Sequence, residues 1–337
     1  MNTTPLGGSA VSVSQLALGC AALGNLYQPV TDDAAQATVD AAWDAGIRTF
    51  DTAPHYGLGL SERRLGAALQ GRPRDTYTVS TKVGRLLVPN SKSGPDDDLA
   101  NGFAVSATHR RVWDFSADGV RRSLDASLDR LGLDRVDVAL LHDPDDHAEQ
   151  ALHEAYPALE RLRAEGVVGA IGVGMNQSVL PSRFLRETDI DVVLLAGRYT
   201  LLDQEGLAEL LPEAAARGRS VVIGGVFNSG LLTAPRPGAT YDYAPAPQPV
   251  LDRALRLLAV TERHGVPLRA ASLRFPFGHG AVASVLTGAR SPEEVRDTVE
   301  QLRCTIPDAL WDELRAEGLL AEGSPVPVST PPPKEPS

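Results

Sequence analysis

Eight short runs rich in Val, Ile and Leu are spaced along the chain, and between them lie longer segments with helical periodicity. The runs are LALGC (16–20), IRTFD (47–51), YTVSTK (77–82), DVALLH (137–142), GAIGVG (169–174), DVVLLA (191–196), SVVIGG (220–225) and ASVLTG (283–288). They are apolar almost throughout instead of alternating, which is the pattern of strands covered on both faces in a parallel sheet. Strands of that kind alternating with helices predict an α/β (β/α)8 TIM barrel, a fold of ~250 residues that takes insertions in its loops. A doubly wound open sheet is the alternative. The 337 residues, 43% of them hydrophobic, suffice for a core of that size.

The intervening segments read as helices from both their stripes and their starts. Val120, Leu124, Leu128 and Leu131 fall on one face of a helix, as do Leu152, Tyr156, Leu159 and Leu162. Thr31 with Asp32 and Asp33, Ser116, Asp203 and the box Ser291-Pro292-Glu293-Glu294 are helix-start signals. One connection, Leu86 to Phe115, lacks clear periodicity and contains Pro, Ser, Asp and Trp, so the third strand is expected to be followed by a long loop covering one end of the barrel. Residues 1–322 are expected to form a single barrel domain, and the Pro-rich stretch 323–337 a disordered, flexible tail that cannot pack a core.

The formal net charge is -11, and no dense Lys/Arg run offsets it locally, so nucleic acid and anionic lipid are poor partners. The amino terminus MNTTPLGGSAVSV has no basic segment leading into an apolar one, and no stretch approaches the roughly 18 apolar residues of a membrane span. A cytoplasmic location is expected. Cys20 and Cys304 lie far apart and form no CxxC pair, and no His/Glu cluster of metal-ligand type is apparent. Neither a disulfide framework nor a metal site is expected, and no feature of the sequence sets an oligomeric state.

Barrels of this kind draw their reacting groups from the carboxyl ends of the strands. The second, third and fourth runs end in Asp51, Lys82 and His142, and Tyr56 follows Asp51 in a Pro-Gly loop able to bend it over the barrel mouth. Singly, each has an ordinary structural use: a strand-end Asp caps a turn, a strand-end Lys pairs with it, and a Tyr half buries. Together, at consecutive strand ends, they suit proton transfer. A phenol titrates near pH ~10, and a cation within a few ångströms lowers that by ~1–3 units. Lys82 would supply the cation, Asp51 would keep it charged, and His142 would hydrogen-bond the reacting carbonyl or hydroxyl oxygen. A competing chemistry uses Lys82 as a Schiff-base nucleophile of the aldolase type, with Asp51 as its tuning partner.

The segments GIRTFDTAPHYGLGLSERRLG, VSTKVG, LLHDPD, GAIGVGMNQ and ASVLTGARSPEEVRDTV resemble the aldo-keto reductases, in order, from about residue 12 to 305. Within that family YGLGLSERRLG, GVGMNQ, FNSGLL (227–232) and DFSADGVRRSL are most similar to the D-threo-aldose 1-dehydrogenase branch, the L-fucose or L-galactose dehydrogenases. The resemblance implies an NAD(P)-dependent oxidoreductase in which Tyr56 is the general acid or base and Asp51, Lys82 and His142 complete the catalytic set. It implies oxidation at C1 of an aldose such as L-fucose, L-galactose or D-arabinose to the lactone, or, alternatively, turnover of an aromatic carbonyl such as pyridoxal. A nicotinamide-binding sensor with slow turnover would keep the same pocket.

The resemblance also implies where the dinucleotide lies. Gly19, Cys20 and Asp51 are expected among its contacts, with the carboxamide near Asn176 and Arg198. Gly225, Phe227, Asn228, Ser229, Gly230 and Leu231 would flank the pyrophosphate, and Gly288, Arg290 and Glu294 the adenosine end. The helix opened by Ser291 independently offers backbone N–H groups and a positive dipole end to phosphate. Three positions differ from the commoner family pattern. Gly224 stands where many members have a nicotinamide-stacking Tyr, with Phe227 nearby, and Gly174-Met175-Asn176 stands where Gly-Val-Ser-Asn is common. Gly288 and Glu294 replace the Lys and Arg of NADP-preferring members, so NAD is the expected cofactor and NADP the alternative, with Arg290 able to offset Glu294. Tyr27, His55, Trp113 and Phe115 fall on loops expected to rim the mouth, where aromatic walls suit the faces of a sugar ring.

Overall fold

In the computed structural model, which describes residues 1–90, 96–242 and 244–328, eight parallel strands close into a barrel. They are β1 (Leu16–Gly19), β2 (Thr49–Asp51), β3 (Thr78–Val83), β4 (Val136–His142), β5 (Val168–Met175), β6 (Val192–Ala196), β7 (Ser220–Gly224) and β8 (Val282–Gly288). Each pairs in parallel with the next, and β8 returns to β1, so the sheet has no open edge and the doubly wound alternative is excluded.

The near-continuous apolarity of the strands has a direct cause in the alternation of side chains along a strand. In β4, Val138 and Leu140 belong to the cluster inside the barrel, whereas Ala139 and Leu141 belong to the layer between strands and helices. Both faces are dry, so both sets are apolar. The same period carries His142 to the inner face, at the carboxyl end.

The outer ring holds α1 (Asp32–Asp44), α2 (Leu60–Leu69), α3 (Ala117–Leu131), α4 (Tyr156–Ala164), α5 (Val179–Glu187), α6 (Leu210–Ala216), α7 (Gln248–Arg263), α8 (Leu268–Arg274), α9 (Pro292–Arg303) and α10 (Asp308–Ala316). Thr31, Ser116 and Ser291 cap α1, α3 and α9 as their positions predict, each accepting a backbone N–H from the first turn. Asp203 caps something shorter: its carboxylate accepts the Glu205 N–H at 3.0 Å and opens a 3-10 turn, while α6 begins only at Leu210.

An antiparallel hairpin of Thr3–Pro5 with Ser12–Ser14 seals the amino end of the barrel. Leu6 and Val13 insert among Val138, Leu140, Ala170, Val192, Leu194 and Ala283, and the Gly7 N–H donates to Ser220 Oγ at 2.8 Å. At the other end, the connection after β3 forms two small antiparallel pairs, Arg85–Pro89 with His109–Trp113 and Asp97–Asp98 with Phe103–Ser106. Arg111 fastens it down, donating to both carboxylate oxygens of buried Asp98 at 2.7 and 2.6 Å and to the His55 carbonyl at 2.9 Å. Positions 91–95 of that loop lie outside the described residues.

Of the stretch expected to be a tail from residue 323, Ser324 is buried and the backbone at Pro325 and Val326 lies against Gly278, where a Cβ would come within 2.4 Å of the Pro325 carbonyl oxygen. Residues 329–337 lie outside the described residues. Among the described residues no helix is long and apolar enough to cross a membrane.

Candidate active site

Asp51, Lys82 and His142 stand at the carboxyl ends of the neighbouring strands β2, β3 and β4, and the loop after β2 brings Tyr56 to them. Lys82 Nζ donates to Asp51 Oδ1 at 2.5 Å, to the Thr52 carbonyl at 3.0 Å and to Tyr56 Oη at 3.1 Å. Backbone packing holds the phenol in place. A Cβ on Gly57, whose φ is 61°, would lie 2.2 Å from the Gly24 carbonyl oxygen, and a Cβ on Gly24 would lie 2.6 Å from the Tyr56 carbonyl carbon. Two glycines are therefore required for the turns after β1 and β2 to touch. Ser61 Oγ ties the same turns together, donating to the Cys20 carbonyl at 2.7 Å and contacting Thr52 Oγ1 at 2.8 Å. Around the Tyr56 ring lie His55, Phe103 and His142, with centroids 6.0, 6.1 and 6.1 Å away.

The Lys82 and Asp51 side chains are 3% and 4% exposed. Burial by itself would strip the proton from Lys82, but the Asp51 carboxylate and the Tyr56 oxygen outweigh it and raise the Lys82 pKa. An ammonium shared by three acceptors has no lone pair for attack on a carbonyl, which argues against the Schiff-base chemistry. His142 is driven the other way: burial, with Arg85 and Lys82 adding to it, pushes its pKa well below the usual histidine range. Burial does the same to His55, with Arg111, Arg85 and Lys82 contributing, down to about 2. Around the Lys82 ammonium the site thus holds a phenol and, at neutral pH, two neutral imidazoles, each able to donate at one nitrogen and accept at the other. Such a set is able to exchange a proton with an oxygen placed between Tyr56 and His142, the ammonium stabilising the phenolate form.

Among the described residues, a pair of cavities at this end of the barrel shares Leu26 and Tyr27 in its walls. One, of 580 Å³, is lined by His55, Tyr56, Lys82, His142, Asp143 and Asn176 together with Leu26, Leu99, Phe103, Met175, Leu194 and Ala196. The other, of 390 Å³, follows residues 225–230 to Gly288, Arg290 and Glu294. A hollow of 620 Å³ between α2 and α3 is larger but holds none of the strand-end groups, and its Arg72, Arg74, Arg130 and Arg135 are already paired with Asp40, Asp137, Glu62 and Asp75.

The two adjoining cavities fit an extended phosphate-bearing cofactor. Gly225, Asn228, Ser229 and Gly230 all have positive φ, so backbone more than side chain faces the 390 Å³ cavity, and α9 begins there with Arg290 just before it. Glu294 accepts the Arg290 N–H at 2.8 Å and contacts Arg290 Nη2 at 3.3 Å, while its own N–H donates to Ser291 Oγ.

Several expected contacts are placed elsewhere. Gly19 pairs with Asp51 and Gly288 in the sheet and lines neither cavity. The Cys20 thiol turns into the core, 3.6 Å from the Leu18 carbonyl, and burial together with Asp51 raises its pKa. The Arg198 guanidinium is taken up by Asp242 at 2.6 Å, Asp203 at 3.5 Å and Glu205 at 3.8 Å. Leu231 is core, and the Asn228 amide braces the loop, donating to the Gly197 carbonyl and accepting from Thr200 Oγ1. Phe115 does not rim the mouth: it is 0% exposed, packed against the Gly84 turn and His147. Trp113, 45% exposed, lies under the Arg85 guanidinium and outside both cavities, whereas Tyr27 and His55 do line the larger one. Sequence reasoning overlooked Asp143, Arg85 and Phe103. Asp143 was within reach, since it directly follows His142 in LLHDPD.

Residues 15–317 match the Aldo/keto reductase family. The chain is 46% identical over 324 residues to a D-threo-aldose 1-dehydrogenase from a Pseudomonas species, covering 95% of this chain and 98% of that protein. It is 42% identical over 334 residues to a pyridoxal 4-dehydrogenase from Microbacterium luteolum, covering 94% and 97%. An aldo-keto reductase from Bacillus halodurans, solved in its holo form, is similar with a TM-score of 0.73 at 26% identity, covering 94% of this chain and 96% of that one.

Proposed function

Since the chain belongs to the aldo/keto reductase family and is therefore an oxidoreductase that uses a nicotinamide cofactor, we propose that it oxidises a cyclic aldose at C1 to the lactone, with NAD. The observation that carries this reading is the contact of Tyr56 Oη with a buried ammonium, 3.1 Å away, on the floor of the 580 Å³ cavity. The names of the two similar enzymes support the substrate class. An aldose and pyridoxal share one chemical feature: a hydroxyl placed to close on the aldehyde as an internal hemiacetal, whose oxidation yields a lactone. L-Fucose, L-galactose and D-arabinose are the sugars to try first, with pyridoxal as the second reading.

A dinucleotide held along residues 225–230 with Gly288, Arg290 and Glu294 would supply a nicotinamide as acceptor for the C1 hydride. Tyr56 takes the proton of the C1 hydroxyl as the C–O single bond becomes the lactone carbonyl, so hydride and proton leave to different acceptors and the bonds balance. Lys82 stabilises the charge left on the phenol before that step, and Asp51 keeps Lys82 protonated and aimed. Neutral His142 holds the reacting oxygen opposite Tyr56. Leu26, Phe103, Met175 and Leu194 keep water from the reaction. At the far end Glu294 repels a 2′-phosphate and accepts from a ribose hydroxyl, which favours NAD.

The test is formation of NADH or NADPH, followed by absorbance, against aldoses, pyridoxal and simple aldehydes, with the product identified as lactone. Turnover of an aldose or pyridoxal with NAD and lactone release is expected. Activity confined to aldehydes that cannot close a ring overturns the proposal.

A further inference from the structure

We propose that Asp143, anchored by Arg85, selects substrates that carry a free hydroxyl on the carbon next to the reacting one; the proposal rests on the dehydrogenase reading above. Asp143 leaves β4 directly after His142 and lines the 580 Å³ cavity, whereas Arg85 stands behind it and does not. One carboxylate oxygen, Oδ2, is held by Arg85 Nη2 and lies 3.6 Å from His142 Nε2. No hydrogen bond to the other oxygen, Oδ1, is found among the described residues. Arg85 is itself fixed: its side chain is 10% exposed, and its guanidinium lies over the Trp113 ring, centroid 5.3 Å away, across the pairing of Arg85 with Trp113.

The backbone points the same way. Asp143 has a φ of 42°, a left-handed conformation that L side chains adopt rarely and Asp and Asn most readily, and its N–H is tied to the Gly174 carbonyl at 3.1 Å. Burial raises the Asp143 pKa and the Arg85 guanidinium opposes it; held as a carboxylate by that partner, the side chain only accepts hydrogen bonds, so the open oxygen calls for an O–H donor. Leu26, Leu99, Phe103, Met175, Leu194 and Ala196 make much of the remaining wall apolar. Because Oδ2 lies beside His142 Nε2, a substrate oxygen held by the imidazole and a hydroxyl held by Asp143 belong to neighbouring carbons. The positive charge of Arg85 is spent on Asp143, so the pair offers no attraction to an anionic substrate.

The experiment compares kcat/KM for L-fucose and 2-deoxy-L-fucose in the intact enzyme, in Asp143→Gly, which accepts the left-handed backbone, and in Asp143→Asn. Calorimetric binding of the two lactone products provides a readout independent of turnover. A hydrogen bond to a charged acceptor predicts a preference of about 10–10²-fold for the hydroxylated sugar in the wild type. That ratio should fall about tenfold or more in Asp143→Gly and by less in Asp143→Asn, with lactone affinities following. A ratio unchanged in both variants overturns the assignment, because a merely structural residue lowers both substrates alike. Failure of the wild type to oxidise L-fucose, L-galactose, D-arabinose or pyridoxal refutes the dehydrogenase reading itself, and this inference with it; if L-galactose or D-arabinose alone is oxidised, the comparison is made with that sugar and its 2-deoxy form.

Discussion

Removing the Lys82 ammonium separates what the buried pair does for folding from what it does for chemistry. In Lys82→Met the Asp51 carboxylate, 4% exposed and already without a partner at Oδ2, loses its counter-ion. Leaving one buried charge unpaired costs about 3–5 kcal/mol of stability. In Asp51→Asn/Lys82→Met neither charge remains, so urea denaturation should show most of that loss recovered. Turnover should not recover. Two unit charges at the 3.1 Å separation of Nζ and Tyr56 Oη interact by about 1 kcal/mol in a water-like medium and about 5 kcal/mol at an effective dielectric of about 20. That spans a loss of roughly 10- to 10⁴-fold in kcat for oxidation. The pH at which oxidation reaches half its plateau should also rise by about 1–3 units in both variants. Near-wild-type kcat with an unmoved pH profile in Lys82→Met refutes the role of the cation. A double variant no more stable than the single one refutes the account of the buried charge.

Burial and the neighbouring cations lower the His55 pKa to about 2 in the folded chain, whereas in the unfolded chain the imidazole protonates below its ordinary pKa of about 6.5. Between those limits the unfolded state binds the extra proton, so this residue makes stability fall as pH falls, by up to about 1.4 kcal/mol per pH unit. His55→Asn should flatten the stability curve by that slope between about pH 6 and 4.5 in denaturant titrations; an unchanged slope rejects the assignment. Gly84→Ala puts a Cβ 2.2 Å from the Phe115 ring at a φ of 96°, and overpacking plus backbone strain should cost about 2–4 kcal/mol. A loss within experimental error would mean that Phe115 does not fill that turn. Glu294→Gln keeps an acceptor for the Arg290 N–H but removes the charge, and should raise kcat/KM with NADP relative to NAD by about tenfold. No change in the ratio places cofactor choice elsewhere.

The barrel was legible because the strands are dry on both sides, so apolar runs such as DVALLH mark strands directly, and the strand-end rule then singles out Asp51, Lys82 and His142. Side chains on loops were less legible, since the direction of each depends on partners distant in the chain. Phe115 reads like a rim aromatic until Gly84, contributed by another turn, opens the space it fills. Arg198 reads like a free cation until Asp242, 44 residues on, takes it. The amino-terminal plug rests on Leu6 and Val13, and the only periodic signal there, Val11 alternating with Val13, is too short to mark a strand.

Asp143 escaped for a more specific reason. Along β4 the period of two sends Leu141 outward and His142 inward, so a continued strand would point residue 143 at the helices, where a carboxylate has no use. The left-handed φ at Asp143 ends the extended path at that residue, and its side chain lines the cavity instead, beside the histidine that precedes it. A local rule breaks there at the cost of backbone strain, with Arg85 and the Gly174 carbonyl holding the break in place. Departures of this kind are expected where a chain gives up local consistency for function, which makes Asp143 the residue whose replacement by Gly most directly probes whether the strain serves the substrate or only the turn.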